Sequence, residues 1–385
     1  MVSVRVKELA LVFLKLGTTA FGGPAAHIAM MEDELVRRRA WLTRAELLDL
    51  VSAASLIPGP SSTQVAIYIG YRRGGWRGLL LAGLCFIMPA ALIVTAIAWA
   101  YVRFGRLPAV GGALYGVKAV IIAVVAQALV AFGATALRSR WLLVLGVGAA
   151  IASLSGVSPL QVLVAAGLTC AVGPLVQRKG GGAASLLWPG ALGALGPSAG
   201  AAGGAATTIA PVGLAKLFLV FLKLGAIVFG SGYVLLAFLR ADLVDRTHWL
   251  TESQLVDAVA VGQVTPGPVF TTATFIGYVV AGVPGAIIAT VGIFLPSFVL
   301  VAASGPLIPR LRRSPVAGAF LDGVNVASLA LMGVVGVQLA RASIVDVPSA
   351  ALALLSGVAL FRWRVNSAWL VVAGGGLGAL VQWLR

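Results

Sequence analysis

The apolar residues of this chain come in runs of roughly 20, long enough to cross a hydrocarbon core about 30 Å thick, with short polar clusters between them. The runs predict crossing helices at about 8–30, 76–102, 108–137, 141–156 and 158–177. A second set follows at about 213–239, 284–304, 315–340, 344–361 and 366–384. Gly and Pro inside such runs are tolerated in lipid, because neighbouring helices re-satisfy the freed backbone groups. The stretch Thr43–Gly74 breaks the pattern. It holds two pieces of about 14 residues on either side of Pro58-Gly59-Pro60, each too short to span alone, and predicts a re-entrant hairpin.

The pattern repeats. Phe13-Leu14-Lys15-Leu16-Gly17 returns as Phe221-Leu222-Lys223-Leu224-Gly225, Phe21-Gly22 as Phe229-Gly230, Trp41-Leu42-Thr43 as Trp249-Leu250-Thr251, and Pro58-Gly59-Pro60 as Pro266-Gly267-Pro268. Between 13–60 and 221–268 there are 20 identities in 48 positions at a constant offset of 208, which becomes 207 after one deletion. The chain therefore divides into a first repeat at 1–177, a Gly/Ala-rich linker at 178–211 and a second repeat at 212–385. The expected fold is an all-α polytopic membrane protein. Its two homologous halves form an inverted repeat, each with about five transmembrane helices plus a Pro-Gly-Pro re-entrant hairpin.

Composition agrees. Sixty per cent of the residues are apolar and 10% charged, where a soluble domain carries about 25% charged residues. The net charge of +16 would suggest nucleic acid in a soluble chain. Here most Arg lie in short loops between apolar runs, where they read as topology charge. An odd number of crossings per half inverts the second copy. Sixteen basic residues then share one face, among them Arg37, Arg38, Arg39, Arg44, Arg72, Arg73, Arg77 and Arg312. Eight, including Arg5 and Lys7, lie on the other. The richer face, with the linker, is expected in the cytoplasm. Cys85, Cys170, His27 and His248 offer no disulfide framework or metal spacing. Arg5, Lys7 and the stretch Leu9–Phe21 imitate a signal peptide, but Lys15 interrupts it and the block recurs inside the chain.

Inverted repeats with interrupted helices mark transporters, whose sites lie where half-helix ends meet. The hinges Pro58, Gly59, Pro60 and Pro266, Gly267, Pro268 open helices beginning with Ser61, Ser62 and Thr63 and containing Thr271 and Thr272. The free N–H groups of such a first turn suit an anion; a packing hairpin is the structural alternative. Gly22, Gly23, Gly230 and Ser231 mark matched breaks in the first crossing, open to backbone approach or to close helix packing. Lys15 and Lys223 are matched ammonium groups inside apolar segments, candidates for the anion's counter-charge or for snorkelling. Asp49 and Asp257 are matched carboxylates that could neutralise those lysines or carry a coupled proton. Lys118 could pair with Asp322 or line the path, and His27 could cap or pack. A lipid-acting membrane enzyme would want paired His, Cys or clustered carboxylates, and a reductase a cofactor fingerprint. Neither pattern is visible, so no enzyme, metal or cofactor is expected.

Phe21-Gly22-Gly23-Pro24, Trp41-Leu42-Thr43, Pro58-Gly59-Pro60 and Ile69-Gly70-Tyr71 resemble the motifs of the chromate ion transporter family. So do Phe229-Gly230, Trp249-Leu250-Thr251, Thr265-Pro266-Gly267-Pro268 and Ile276-Gly277-Tyr278. The resemblance covers nearly the whole chain outside the linker and is to the two-domain form. It implies efflux of chromate across the bacterial inner membrane, driven by the proton motive force and giving chromate resistance. Sulfate or another oxyanion is the alternative cargo, and the bilayer the expected surroundings. A homodimer is left open. Ser231-Gly232, where the first copy has Gly23-Pro24, departs from the motif and puts equal roles for the halves in question.

Overall fold

The computed structural model describes residues 6–21, 23–105, 107–178, 213–229, 234–304, 314–363 and 365–384. Among them there are helices and turns and no strand. The first half contains α1 (Val6–Thr19), α2 (Gly23–Met31) running into a π-helical turn (Glu32–Arg38), α3 (Arg44–Ala54), α4 (Ser61–Phe104), α5 (Pro108–Ala136), α6 (Arg140–Leu154) and α7 (Pro159–Arg178). The second repeats the order. It contains α8 (Leu214–Ile227), α9 (Leu235–Leu239) with a π-helical turn (Arg240–Arg246), α10 (Glu252–Val264), α11 (Thr272–Ser304), α12 (Pro315–Ser343), α13 (Val347–Arg362) and α14 (Ser367–Leu384). Four of these helices, α4, α5, α11 and α12, are long and apolar enough to cross a membrane.

The shared motifs acquire mechanical reasons. Thr43 and Thr251 of the Trp-Leu-Thr triplets are N-caps, each closing a capping box with Glu46 or Gln254. The turn before each triplet holds a residue at positive φ, Ala40 in one copy and His248 in the other. Ile-Gly-Tyr supplies close approach. Gly70 packs on Gly78 and Gly277 on Gly285, so tightly that a Cβ on any of them would run into the facing carbonyl. This contact exists because α4 and α11 each fold back on themselves. The non-helical pairs Gly74–Gly75 and Ala281–Gly282 make the reversal, with Gly75 at φ 57° and Gly282 at φ 63°. The arm 61–73 thus returns to where α3 began, and Arg72 pairs with Glu46 across the two ends. The re-entrant hairpin expected at 43–74 is present in this form.

One expectation is corrected. The stretch 8–30 is not one crossing but two short helices folded back at 20–23, with Gly23 at φ 80°. Glu8 at the start of α1 meets Arg39 beyond α2 at 2.6 Å, and Lys15 meets Glu34 at 2.8 Å. Lys7 therefore lies at the same face as Arg37–Arg39, not opposite.

The halves run antiparallel. Gly83, early in the long arm of α4, packs on Phe298, late in α11, while Tyr101 at the far end of α4 stacks on Phe275. Tyr68, near the reversal of α4, bonds Ser304 at the end of α11. Each half also lends its last two helices to the other. α5 is flanked by α13 and α14, α12 by α6 and α7, through glycine contacts such as Gly116–Gly374 and Gly323–Ala166. One apolar core accordingly draws on both halves.

Arg138, Arg140 and Arg362 fall at the face of Arg37–Arg39 and Arg72. Arg103, Lys216, Arg240, Arg246 and Arg341 fall at the other. Of the linker expected at 178–211, all but Arg178 lies outside the described residues. Arg178, at the end of α7, and Gly213, before α8, bound it from opposite faces.

Candidate functional site

Pro58-Gly59-Pro60 and Pro266-Gly267-Pro268 form the inner tips of the two hairpins. Gly59 sits at φ 123° and Gly267 at φ 94°, so both need glycine. Each tip docks on the other half. Gly59 N–H donates to the Val228 carbonyl at 2.7 Å, just beyond α8, and Gly267 N–H donates to the Ala20 carbonyl at 2.8 Å, just beyond α1. Four chain breaks thus meet in two reciprocal pairs. Gly23 lies beside the second meeting point. Gly22, Gly230 and Ser231 lie outside the described residues.

The helix starts after the two tips differ. In the first, Ser62, Thr63 and Gln64 are buried on the opening turn of α4. His27 Nδ1 lies 3.0 Å from Ser62 Oγ, its ring edge-on to Phe86. Gln64 Nε2 donates to the Pro58 carbonyl. Ser297 of α11 faces Gly59 so closely that a Cβ there would lie 2.6 Å from its hydroxyl. Ser61 stands at the first helical position, half-buried. In the second, a short 3₁₀ turn (Val269–Thr271) precedes α11. Thr271 Oγ1 donates to the Pro268 carbonyl and Thr272 Oγ1 to that of Val269, both at 2.8 Å. The sequence flagged Ser62, Thr63, Thr271 and Thr272. It gave Gln64 and Ser297 no role, because their relevance comes from facing the tip in space.

The intramembrane charges are paired, and not as expected. Lys15 bonds Glu34 and Lys223 bonds Asp242, residues that are themselves matched at the repeat offset, so neither lysine is paired with Asp49 or Asp257. The physical reason is the fold-back of α1 on α2 and of α8 on α9, which sets each lysine against the following π-helical turn. The Lys15 side chain is 54% exposed and does not line the buried tip. Glu34, held by Lys15 first and Arg39 second, has its carboxyl pKa below the ordinary range. Lys223 borders a cavity of about 460 Å³ with Arg240, Asp242, Arg246, Phe238 and Gln338.

Lys118 does not pair with Asp322, which is exposed on α12. It reaches Asp257 at 3.2 Å and Ser253 Oγ at 2.7 Å, while Tyr101 donates to the other Asp257 oxygen at 2.9 Å. This cluster joins α4 and α5 of one half to α10 of the other. Asp49 lies exposed on α3. The geometry suits a moving carrier with a polar, helix-capped centre and charged clamps nearer its faces.

Comparison with known proteins points the same way. The family profile described as Chromate transporter matches residues 7–171 and again 215–379. A chromate transport protein of Cupriavidus metallidurans is 36% identical over 98% of this chain and 93% of its own length. A probable chromate transport protein of Synechococcus elongatus is 31% identical over 99% and 96%. A chromate transport protein of Pseudomonas aeruginosa is 34% identical over 96% and 91%. No solved structure matches.

Proposed function

The chain belongs to the chromate transporter family, and on that premise we propose that it exports chromate from the bacterial cytoplasm across the inner membrane, driven by the proton motive force and conferring chromate resistance. The observation that carries the reading is the reciprocal docking of the two Pro-Gly-Pro tips onto the broken ends of α1 and α8. Such meetings of half-helix ends hold substrate in carriers with repeated halves. A tetrahedral dianion is a good guest for free helix N-termini and hydroxyls.

In this reading the antiparallel halves form an inverted repeat across the bilayer. The Arg-rich face of Arg37–Arg39, Arg72 and Arg138 is cytoplasmic. The anion is held near Ser61, Ser62, Thr63, Thr271 and Thr272, with Gly22, Gly23, Gly230 and Ser231 at the facing breaks. Pro58, Gly59, Pro60, Pro266, Gly267 and Pro268 act as hinges. Lys15 and Lys223 hold their hairpins through Glu34 and Asp242 and lend positive potential to the approach. Asp257, paired to Lys118 and close to Tyr101, is the carboxylate best placed to take the coupling proton. Asp49 and Asp322, both exposed, stand behind it.

Radiolabelled chromate in inverted membrane vesicles tests this. Accumulation should follow an imposed pH gradient and collapse with an uncoupler. Accumulation that ignores both gradient and uncoupler rejects the coupling, and none above empty-vector vesicles rejects export.

A further inference from the structure

The two tips are the same turn in two different chemical settings. Position by position, His27 of the first is matched by Leu235, Ser62 by Phe270 and Ser297 by Ala90. Around the first tip, four buried polar atoms have no hydrogen-bond partner among the described residues: His27 Nε2, Thr63 Oγ1, Gln64 Oε1 and Ser297 Oγ. Each belongs to a side chain at most 1% exposed. Buried polar groups are nearly always paired, and each exception asks for a reason such as a bound ion or water. Around the second tip the threonine hydroxyls close on their own backbone, Phe270 packs on Phe294, and Gly267 abuts the Ala90 methyl. Among the described residues, the unpaired polar atom beside that tip is Gln263 Nε2, on α10 rather than on the opening turn of a helix. The first tip also adds the N-terminus of a long helix whose preceding residue, Pro60, has no side-chain cap to offer.

We propose that each chain holds one tetrahedral oxyanion, at the first tip, and that His27 and Ser297 join Ser62 and Thr63 in binding it beside Gln64, whose amide N–H is tied to the Pro58 carbonyl, while the second tip is a packed joint. Ser297 comes from the second half, so the site exists only when the halves are docked. Hydroxyls and an imidazole N–H are adaptable partners. The hydroxyls can turn to donate to an anion or to water as the cargo comes and goes. This rests on the transport reading and narrows it to one of two pseudo-symmetric places.

The test uses the purified full chain. Equilibrium dialysis with radiolabelled chromate should give one site per chain; two would overturn the proposal. In proteoliposome counterflow without a pH gradient, Thr63→Val and Ser297→Ala should each raise the chromate KM at least about tenfold. Gln263→Leu, beside the second tip, should change it less than about twofold. An unchanged KM in the first two variants, or an equal rise in Gln263→Leu, overturns the single site. Ser297→Ala installs the residue that stands at matched position 90, so it decides even if Thr63→Val is not recovered folded. Absence of uptake by the unaltered protein would instead overturn the transport reading itself.

Discussion

At one face the two halves are clamped by Lys118, Asp257, Tyr101 and Ser253, an ion pair wrapped in hydroxyls. At the opposite face, among the described residues, Tyr68 of one half hydrogen-bonds Ser304 of the other. Asn325 stands where symmetry would put a second Lys118, and Ala45 where it would put a second Ser253. Elsewhere the copies agree closely. Both keep the capped hairpin, the lysine paired to a π-helical turn, and the folded long helix. The two copies agree where they build the scaffold and dock their tips, and differ in the side chains that clamp the halves at their faces. Two faces with different clamps need different work to open, so inward and outward states of this molecule need not be mirror images in energy.

The largest expected effect comes from removing one side of the strong clamp. Lys118→Met leaves Asp257, whose side chain is 3% exposed, without its cation. It should cost about 3 kcal/mol, read as a lowered melting temperature in detergent. Asn325→Leu, at the matched place, should cost less than about 1 kcal/mol. Equal losses would break the comparison.

The tips come next. Gly59→Ala and Gly267→Ala both force a side chain onto positive φ, at about 1–3 kcal/mol. Gly267→Ala should be the worse for folded yield. Its new methyl would press on the Ala90 methyl at 2.7 Å and the Gly17 carbonyl at 3.1 Å, neither free to swing away. At Gly59 the obstacles are the ends of Gln64 and Ser297. Gly59→Ala should therefore show its damage chiefly in transport.

Smaller again is the matched pair of lysines. Lys15→Met and Lys223→Met should each cost about 1 kcal/mol, because the exposed ammonium limits what the pair contributes. If either lysine variant abolishes chromate uptake while the protein stays folded, the lysines bind cargo after all.

The smallest effect is acid sensitivity. Glu34 is held below its ordinary value of 4.5 by Lys15 and Arg39. Its contribution is fully present above pH 4.5 and is lost as pH falls through the lower folded-state value. Unfolding midpoints of the unaltered protein and Glu34→Gln should thus converge only below pH 4.5. Convergence at higher pH would mean the pair is not formed.

Much of this was legible in the sequence, for reasons that can be named. Pro-Gly-Pro cannot continue a helix, so the tips announced themselves, and the offset of 208 tied each to its twin. The fold-back at 20–23 was hidden because α1 and α2 together are as long as one crossing, and Gly-Gly-Pro reads equally as packing. Once that reversal was missed, Lys15 had no visible partner, since Glu34 is brought to it only by the turn. Lys118 and Asp257 are 139 positions apart and meet across the pseudo-two-fold axis, a relation no spacing rule encodes. His27 has a leucine as its twin, and that mismatch marks the tip where the polar groups gather.

The exchanged tail helices carry a last consequence, in time rather than space. α5 finds its flanking partners in α13 and α14, and α14 ends at Leu384. The first half is therefore synthesised with one side of α5 uncovered, and that side stays open until α13 and α14 have been made. Whatever holds the unfinished molecule in the bilayer must wait for α14 before the wall around α5 can close.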